Sequence, residues 1–248
     1  MSNVTMGFIL TIIAGLSTLL GLIAIYIKVQ NQDKIICSAL AFASGVMICV
    51  SITDLVPESI NMLKNSLSGI MIPIISFIFI ILGVIISMLI DKSIPDINNS
   101  GSLYKVGIIS MLAIILHNIP EGIATFISTT KSTTLGISLT TAIALHNIPE
   151  GISIGVPIYY STKSKKKAFL YTLISALSEP FGALLTYIFL FPYINDFILG
   201  LLFSLIAGIM LQISFCELIP KAKEYNLKKI YMISLSLGVL FMLIHYII

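Results

Sequence analysis

Residues 108–127, IISMLAIILHNIPEGIATFI, and residues 137–156, ISLTTAIALHNIPEGISIGV, decide the fold of this chain. Each has about the twenty residues that a helix needs to cross a hydrocarbon layer roughly 30 Å thick, and each is apolar except near its middle. There the same hexapeptide occurs twice, 29 positions apart, as His117-Asn118-Ile119-Pro120-Glu121-Gly122 and His146-Asn147-Ile148-Pro149-Glu150-Gly151. Successive helical residues advance by about 100°, so the first, second and fifth positions of HNxxE fall within one sector of roughly 100°. Imidazole, amide and carboxylate therefore share a face. Pro120 and Pro149 lack an N–H, so the carbonyls of Leu116 and Leu145 lose their helical donors, a break that belongs beside a cavity.

The rest of the chain extends this reading. Of its 248 residues 57% are hydrophobic and only 10% charged, whereas soluble domains run to about 25% charged. A bilayer is the solvent for most of its surface. Apolar runs and their breaks predict an all-α polytopic membrane protein with eight transmembrane helices, at about 6–28, 35–63, 70–90, 103–130, 134–160, 167–190, 196–222 and 229–248. Residues 1–248 are expected to form a single transmembrane domain. The run from Met6 to Ile27 has no basic residue before it and no small-residue cleavage site, and it is expected as a retained helix rather than a signal peptide. Cys37, Cys49 and Cys216 are isolated within apolar stretches and expected as buried spectators, with neither a disulfide framework nor a thiolate metal site.

All 14 basic residues are lysines, and their distribution predicts orientation. Lys28, Lys34, Lys92, Lys105, Lys163, Lys165, Lys166, Lys167, Lys221, Lys223, Lys228 and Lys229 fall in or beside the odd-numbered loops; Lys64 and Lys131 alone fall on the other side. Both termini are expected outside, with the Lys-rich loops in the cytoplasm. Asp91, Asp96, Asn98 and Asn99 are read as part of a solvated cytoplasmic connection, the Lys163–Lys167 cluster as a solvated loop beside the lipid headgroups, and His245 as a packing or interfacial residue.

The chain also repeats itself. Gly45-Val46-Met47-Ile48, Ser51 and Asp54-Leu55-Val56-Pro57 return 163 positions later as Gly208-Ile209-Met210-Leu211, Ser214 and Glu217-Leu218-Ile219-Pro220. Leu16-Ser17-Thr18-Leu19-Leu20-Gly21 lines up with Leu177-Ser178-Glu179-Pro180-Phe181-Gly182. The partners lie five spans apart, and an odd separation inverts them across the membrane. The prediction is a pair of inverted three-helix repeats flanking helices four and five.

Counting at 1.5 Å per residue places His117, His146 and Glu179 at a common depth, roughly 20 Å from the surface where their spans begin. A charge at that depth costs about 2.5 kcal/mol or more on insertion scales, so Glu121, Glu150 and Glu179 require a cation. No lysine or arginine lies within the predicted membrane interior, which leaves protons or metal ions. Carboxylates that only hold protons need no histidines beside them. Neutral imidazole with carboxylate and amide oxygen is instead a ligand set for borderline divalent ions such as Zn²⁺, Fe²⁺, Mn²⁺ or Co²⁺. Two ions bridged by Glu121 and Glu150 fit the number of donors. Asp54 and Glu58 are expected near the outer surface and Glu217 near the cytoplasm. Asp54 and Glu217 are candidate entrance and exit metal positions, whereas Glu58 is read as an ordinary helix-end carboxylate.

These residues resemble the ZIP family of zinc- and iron-regulated-transporter-like proteins, in particular its bacterial zinc-uptake branch, and the similarity covers the whole chain. The doubled HNxPEG motif carries it, with Ser178, Glu179 and Pro180 in support. The resemblance implies one metal site of His117, Glu121, His146 and Glu150, and a neighbouring one of Asn118, Asn147, Glu121, Glu150 and Glu179. It further implies Asp54 at the entrance, Glu217 towards the exit, passage of ions into the cytoplasm across a bacterial cytoplasmic membrane, homodimers, and an elevator-like motion of spans one, four, five and six against two, three, seven and eight. Many relatives carry a His-rich loop between spans three and four; residues 91–105 contain no His, which puts metal sensing by that loop in doubt.

The expected function is therefore uptake of Zn²⁺, with Fe²⁺, Mn²⁺ and Cd²⁺ in the same chemical class, through a midplane, binuclear site by alternating access. The metal is cargo, not cofactor. No nucleic-acid partner is expected, and no GxxxxGK[ST] sequence is present for ATP. Three glutamates around one divalent ion leave net negative charge, so a second ion or a proton is expected to accompany it. An intramembrane metalloenzyme and a metal-selective channel are the alternatives. The enzyme reading lacks an HExxH sequence, and the nearby carboxylates are all committed as ligands, with none left as a separate general base.

Overall fold

The computed structural model describes residues 2–27, 30–93, 101–190 and 195–245, which are helical almost throughout and contain no β-strand. Helix α1 (Asn3–Ser17) continues as a 3₁₀ segment, Thr18–Tyr26. Helix α2 (Gln32–Val50) passes through a π-helical turn, Ser51–Leu55, into α3 (Val56–Leu63). There follow α4 (Met71–Ser93), α5 (Gly101–Lys131) and α6 (Thr133–Thr162). Helices α7 (Lys165–Ala176) and α8 (Ser178–Leu185) meet end to end at Leu177 and lead into a π segment, Thr186–Leu190. Helix α9 (Asp196–Ile213) passes through a π turn, Ser214–Leu218, into α10 (Ile219–Glu224), and α11 (Lys228–His245) ends the described chain.

Among the described residues, six stretches are long and apolar enough to cross a membrane: Asn3–Tyr26, Gln32–Leu63, Met71–Ser93, Leu103–Lys131, Lys165–Phe189 and Asp196–Glu224. The other two predicted spans fall on α6 and α11, which are helical but not among these six. For α6 the reason lies in its residues. His146, Asn147, Glu150 and a series of Ser and Thr lower its hydropathy, and fourteen of its residues are buried against neighbours rather than turned to a solvent.

Two packing groups surround the centre. In one, α5 lies along α6, with α1, its 3₁₀ continuation, α7 and α8 wrapped around them; in the other, α2 lies along α11 and α4 along α9. Lipid offers no hydrophobic drive for helix association, so contact relies on close van der Waals approach and buried hydrogen bonds. Glycines supply the approach. A Cβ at Gly45 would sit 2.3 Å from the Leu235 carbonyl oxygen, and one at Gly208 would sit 2.0 Å from that of Ile80. The reciprocal contacts are Gly238 on Phe42 O at 2.2 Å and Gly83 on Leu205 O at 1.9 Å. Hydroxyls add the hydrogen bonds: Ser59 Oγ donates to Gly200 O (2.7 Å), and Ser204 Oγ lies 2.5 Å from Ser59 Oγ and 2.8 Å from Ser76 Oγ.

The two π turns have a local cause. Pro57 and Pro220 stand at the start of α3 and α10, where a regular α-helix would crowd each ring against the preceding turn. Widening by one residue relieves this: Val56 N–H reaches Ser51 O, and Ile219 N–H reaches Ser214 O. The same turn thus interrupts two helices 163 positions apart in sequence.

Two expectations need correction. Asp91 is not in a loop: it lies in the last turn of α4 and pairs with Lys105 of α5 at 2.9 Å, tying the two helices together. Cys216 is exposed, whereas Cys37 and Cys49 are buried and all three are free thiols. It sits on the π turn, and a wholly apolar helix gives no sign of which face leaves the bundle. Lys28, Asp96, Asn98, Asn99 and the side chain of His245 lie outside the described residues.

Candidate metal centre

Helices α5 and α6 run antiparallel and pack along each other, so the HNxPEG faces meet near the middle of the bundle. Both helices continue through their prolines. Glu121 Oε1 lies between the imidazoles, 3.1 Å from His117 Nε2 and 2.9 Å from His146 Nε2. Glu150 Oε1 approaches His117 Nε2 to 3.4 Å, and the two imidazole centroids are 6.1 Å apart. One donor atom from each of His117, Glu121 and His146 lies within 4.8 Å of the others, the spacing of ligands around a single ion.

The amides are set by a different rule. Asn147 Nδ2 donates to Ala14 O (2.9 Å) and Glu179 Oε2 (3.1 Å), and Asn118 Nδ2 donates to Ser175 O (3.4 Å). Since only the NH₂ can donate to a carbonyl, these bonds turn each amide oxygen away from the backbone. Both oxygens are buried without a partner. The same is true of both Glu150 carboxylate oxygens, Glu121 Oε2, Glu179 Oε1 and the Nδ1 atoms of both histidines. Buried polar atoms normally find a hydrogen bond, so this many unsatisfied donors in one place mark a site for a ligand. Every one belongs to a residue singled out from sequence.

Glu179 stands in the first turn of α8, where that helix crosses α5. The crossing is tight: a Cβ at Gly122 would sit 1.9 Å from Glu179 O, and one at Gly182 would sit 2.1 Å from Ile119 O. Glycine at both points brings the α8 backbone against α5, which delivers the carboxylate to the centre.

A cavity of about 350 Å³ reaches the cluster from one end of the bundle. Glu121 and His146 line its floor, and Thr53, Asp54, Pro57 and Glu58 line its wall, so Asp54 opens onto the same space as the cluster. Glu58 does too, which its reading as a plain helix-end carboxylate missed; its place one turn beyond Asp54, just after Pro57, was the available signal. Thr53 was also missed, and its hydroxyl lies 3.1 Å from Asp54 Oδ1. Glu217 is half-buried on the second π turn and does not line this cavity. At the opposite end of the cluster, Leu40, Ile114, Ile154 and Ile213 are fully buried in one continuous apolar core.

The family model described as ZIP Zinc transporter matches residues 96–245. Curated relatives match along most of their length. The zinc transporter ZupT of Clostridium perfringens is 41% identical over 91% of this chain and 90% of its own, and that of Streptococcus mutans is 38% identical over 95% and 94%. The zinc transporter ZupT of Campylobacter jejuni is 36% identical over 90% of this chain and 89% of its own. With likeness of this extent, the chain belongs to the ZIP family, whose members are membrane transporters and not enzymes.

Proposed function

We propose that this protein carries Zn²⁺ and related divalent transition-metal ions into the cytoplasm, binding them between α5, α6 and α8 and exposing them to one side of the membrane at a time. The observation that carries this reading is the convergence of His117, Asn118, Glu121, His146, Asn147, Glu150 and Glu179, each with an unsatisfied buried polar atom, at the inner end of the cavity. His117, Glu121, His146 and Glu150 would hold one ion. Asn118, Asn147 and Glu179, with the second oxygens of Glu121 and Glu150, would hold its neighbour. Two ions bring charge +4 against three carboxylates and one brings +2, so loading changes the sign of the site and each state is electrostatically distinct.

The carrier reading is favoured over a channel because the cavity reaches the cluster from one side, while the residues beyond it on the motif helices are buried in the apolar core. The cavity is lined by residues after Glu121 in α5 and before His146 in α6, whereas the sealed core contains Ile114, before His117, and Ile154, after Glu150. Antiparallel helices make these opposite ends. Asp54 would serve the open end and Glu217 the closed one.

Eight spans in an inverted repeat account for the contacts. Shifts of 163 between α2 and α9, 155 between α4 and α11, 161 between α1 with its 3₁₀ continuation and α7–α8, and 29 between α5 and α6 turn several close contacts into others that also occur. Gly45 on Leu235 becomes Gly208 on Ile80, and Asn147 on Ala14 O becomes Asn118 on Ser175 O. A pseudo-two-fold axis through the cluster is the geometry on which inverted-repeat carriers alternate access. With the lysine-rich loops in the cytoplasm, both termini lie outside and the cavity opens outward.

The test is ion uptake into liposomes holding the purified protein, with a panel of divalent ions, for the wild type and for Glu121→Ala and Glu150→Ala. Saturable uptake that both substitutions abolish is expected. Unaltered uptake in both variants would remove the cluster from the transport path.

A further inference from the structure

We propose that the Thr18 hydroxyl is a further, neutral ligand of the metal centre, standing where the other half of the molecule places Glu179, and that its neutrality speeds ion release. This rests on the transport reading of the cluster.

The shift that relates α1 and its continuation to α7–α8 sends Thr18 onto Glu179. Four pairs of contacts obey it. Asn147 Nδ2 on Ala14 O (2.9 Å) matches Asn118 Nδ2 on Ser175 O (3.4 Å). Ser17 Oγ on Ala14 O (2.6 Å) matches Ser178 Oγ on Ser175 O (2.5 Å). A Cβ at Gly151 would meet Thr18 O at 1.8 Å, and one at Gly122 would meet Glu179 O at 1.9 Å. Gly21 on Ile148 O at 2.5 Å matches Gly182 on Ile119 O at 2.1 Å. Thr18 therefore occupies the backbone position of Glu179, against the opposite motif helix.

Its side chain is also unoccupied. A helical threonine can return its hydroxyl to a carbonyl one turn back, as Thr11 does to Gly7 O at 3.1 Å and Thr186 does to Gly182 O at 2.9 Å, whereas Thr18, like Thr125, Thr140 and Thr172, does not. For Thr18 the carbonyl four residues back is Ala14 O, whose two lone pairs are already taken by Ser17 Oγ and Asn147 Nδ2. Thr18 Oγ1 is fully buried with no partner, and the relation that joins Glu179 to the Asn147 amide places it on the side of Asn118, whose Oδ1 is also buried without a partner. Two buried neutral oxygens without partners thus stand on one side of the cluster where a carboxylate and an amide stand on the other.

The chemistry gives the difference a purpose. Four carboxylates would neutralise two divalent ions and hold both; three leave the loaded site positive, which favours loss of one ion. A hydroxyl keeps an oxygen ligand while withholding that fourth charge.

The experiment measures Zn²⁺ binding by calorimetry, Zn²⁺-induced thermal stabilisation, and uptake, using full-length protein with Thr18→Val, Thr18→Ser, Thr18→Glu and, as control, Glu121→Ala. Thr18→Val is expected to weaken Zn²⁺ binding about tenfold and shrink the Zn²⁺-induced shift in melting temperature, while the metal-free melting temperature stays the same because the hydroxyl bonds nothing in the protein. Thr18→Ser should restore binding, and Thr18→Glu should bind more tightly but turn over more slowly. Wild-type binding in Thr18→Val alongside loss in Glu121→Ala overturns the role of Thr18 alone. An equal loss of melting temperature with and without Zn²⁺ makes the residue structural and overturns it too. Unchanged binding in Glu121→Ala removes the metal-site reading itself, and this inference with it.

Discussion

The two π turns, Ser51–Leu55 and Ser214–Leu218, are built alike and end in the same proline, yet their surroundings differ. The first carries Asp54 into an open cavity together with Glu58 one turn on. The second carries Glu217, and the residue that corresponds to Glu58 is Lys221, which pairs with Glu224. One turn is doubly acidic and opens onto the cavity; the other pairs its lysine with a glutamate and does not line that cavity. On the proposed carrier reading, a symmetric backbone with asymmetric charge suits one-way transport: the wide end would gather cations and the other would not hold them back.

The largest effects belong to the residues that both ends share. Glu121 lines the cavity and Glu150 does not, but both approach His117 Nε2, so Glu121→Ala and Glu150→Ala are both expected to cut Zn²⁺ uptake by about a hundredfold or more. Flux assays in liposomes decide it. Loss in only one variant would make the ends functionally separate and dissolve the shared centre.

Stability tests the symmetry itself. Gly122→Ala and Gly151→Ala each drive a Cβ to within 2 Å of a carbonyl oxygen, at Glu179 and at Thr18. Neither backbone can yield without moving a helix, so each substitution is expected to lower stability by about 1–3 kcal/mol or more, measured as a drop in melting temperature of the detergent-solubilised protein. The two drops should be similar. A tolerated substitution at one site and a severe one at the other would break the two-fold relation.

Asp54→Asn and Glu217→Gln sharpen the contrast between the ends. The first is expected to raise the KM for Zn²⁺ about three- to tenfold with little change in maximal rate, because Asp54 acts on capture in the cavity. The second should act mainly on maximal rate, because Glu217 lies beyond the seal. Stopped-flow uptake over a range of Zn²⁺ concentrations separates the two, and identical KM effects would erase the distinction.

Much of this was legible in the sequence. The helices fall close to the predicted spans, and the doubled hexapeptide pointed to the candidate ligands because a polar island repeated at mid-membrane depth is too costly to keep unless it binds something. Hydropathy could not say which helices are central. Met71–Ser93 has the highest mean hydropathy of the crossing candidates, 2.9, and only 22% of it is buried, while α6, the hub of the site, is not among those candidates. Lipid and a protein core are equally apolar, so the same residues suit either. Glu58 and Thr18 were illegible for a related reason. A carboxylate at a helix end and a hydroxyl in an apolar run become informative only once the cavity wall and the filled Ala14 carbonyl are seen. The π turns were visible as two prolines in matching places, but one extra residue per turn leaves no periodicity to read over so short a stretch.

The smallest effect expected is also the one that isolates charge from shape. Glu58 is exposed in the cavity wall and lies outside the central cluster, so it is expected to act on the ion through its field. Glu58→Gln keeps the shape and removes that field; KM should rise about two- to fivefold at low ionic strength and return to the wild-type value near 0.5 M salt, where the screening length falls to roughly 4 Å. Lys221→Gln, the matching change at the closed end, should leave KM untouched. Glu58→Lys then gives the wide end the charge of the narrow one, and its KM should rise further with the same salt dependence. If Glu58→Gln shifts KM equally at every ionic strength, the side chain is acting by shape, and the electrostatic difference between the two ends loses its support.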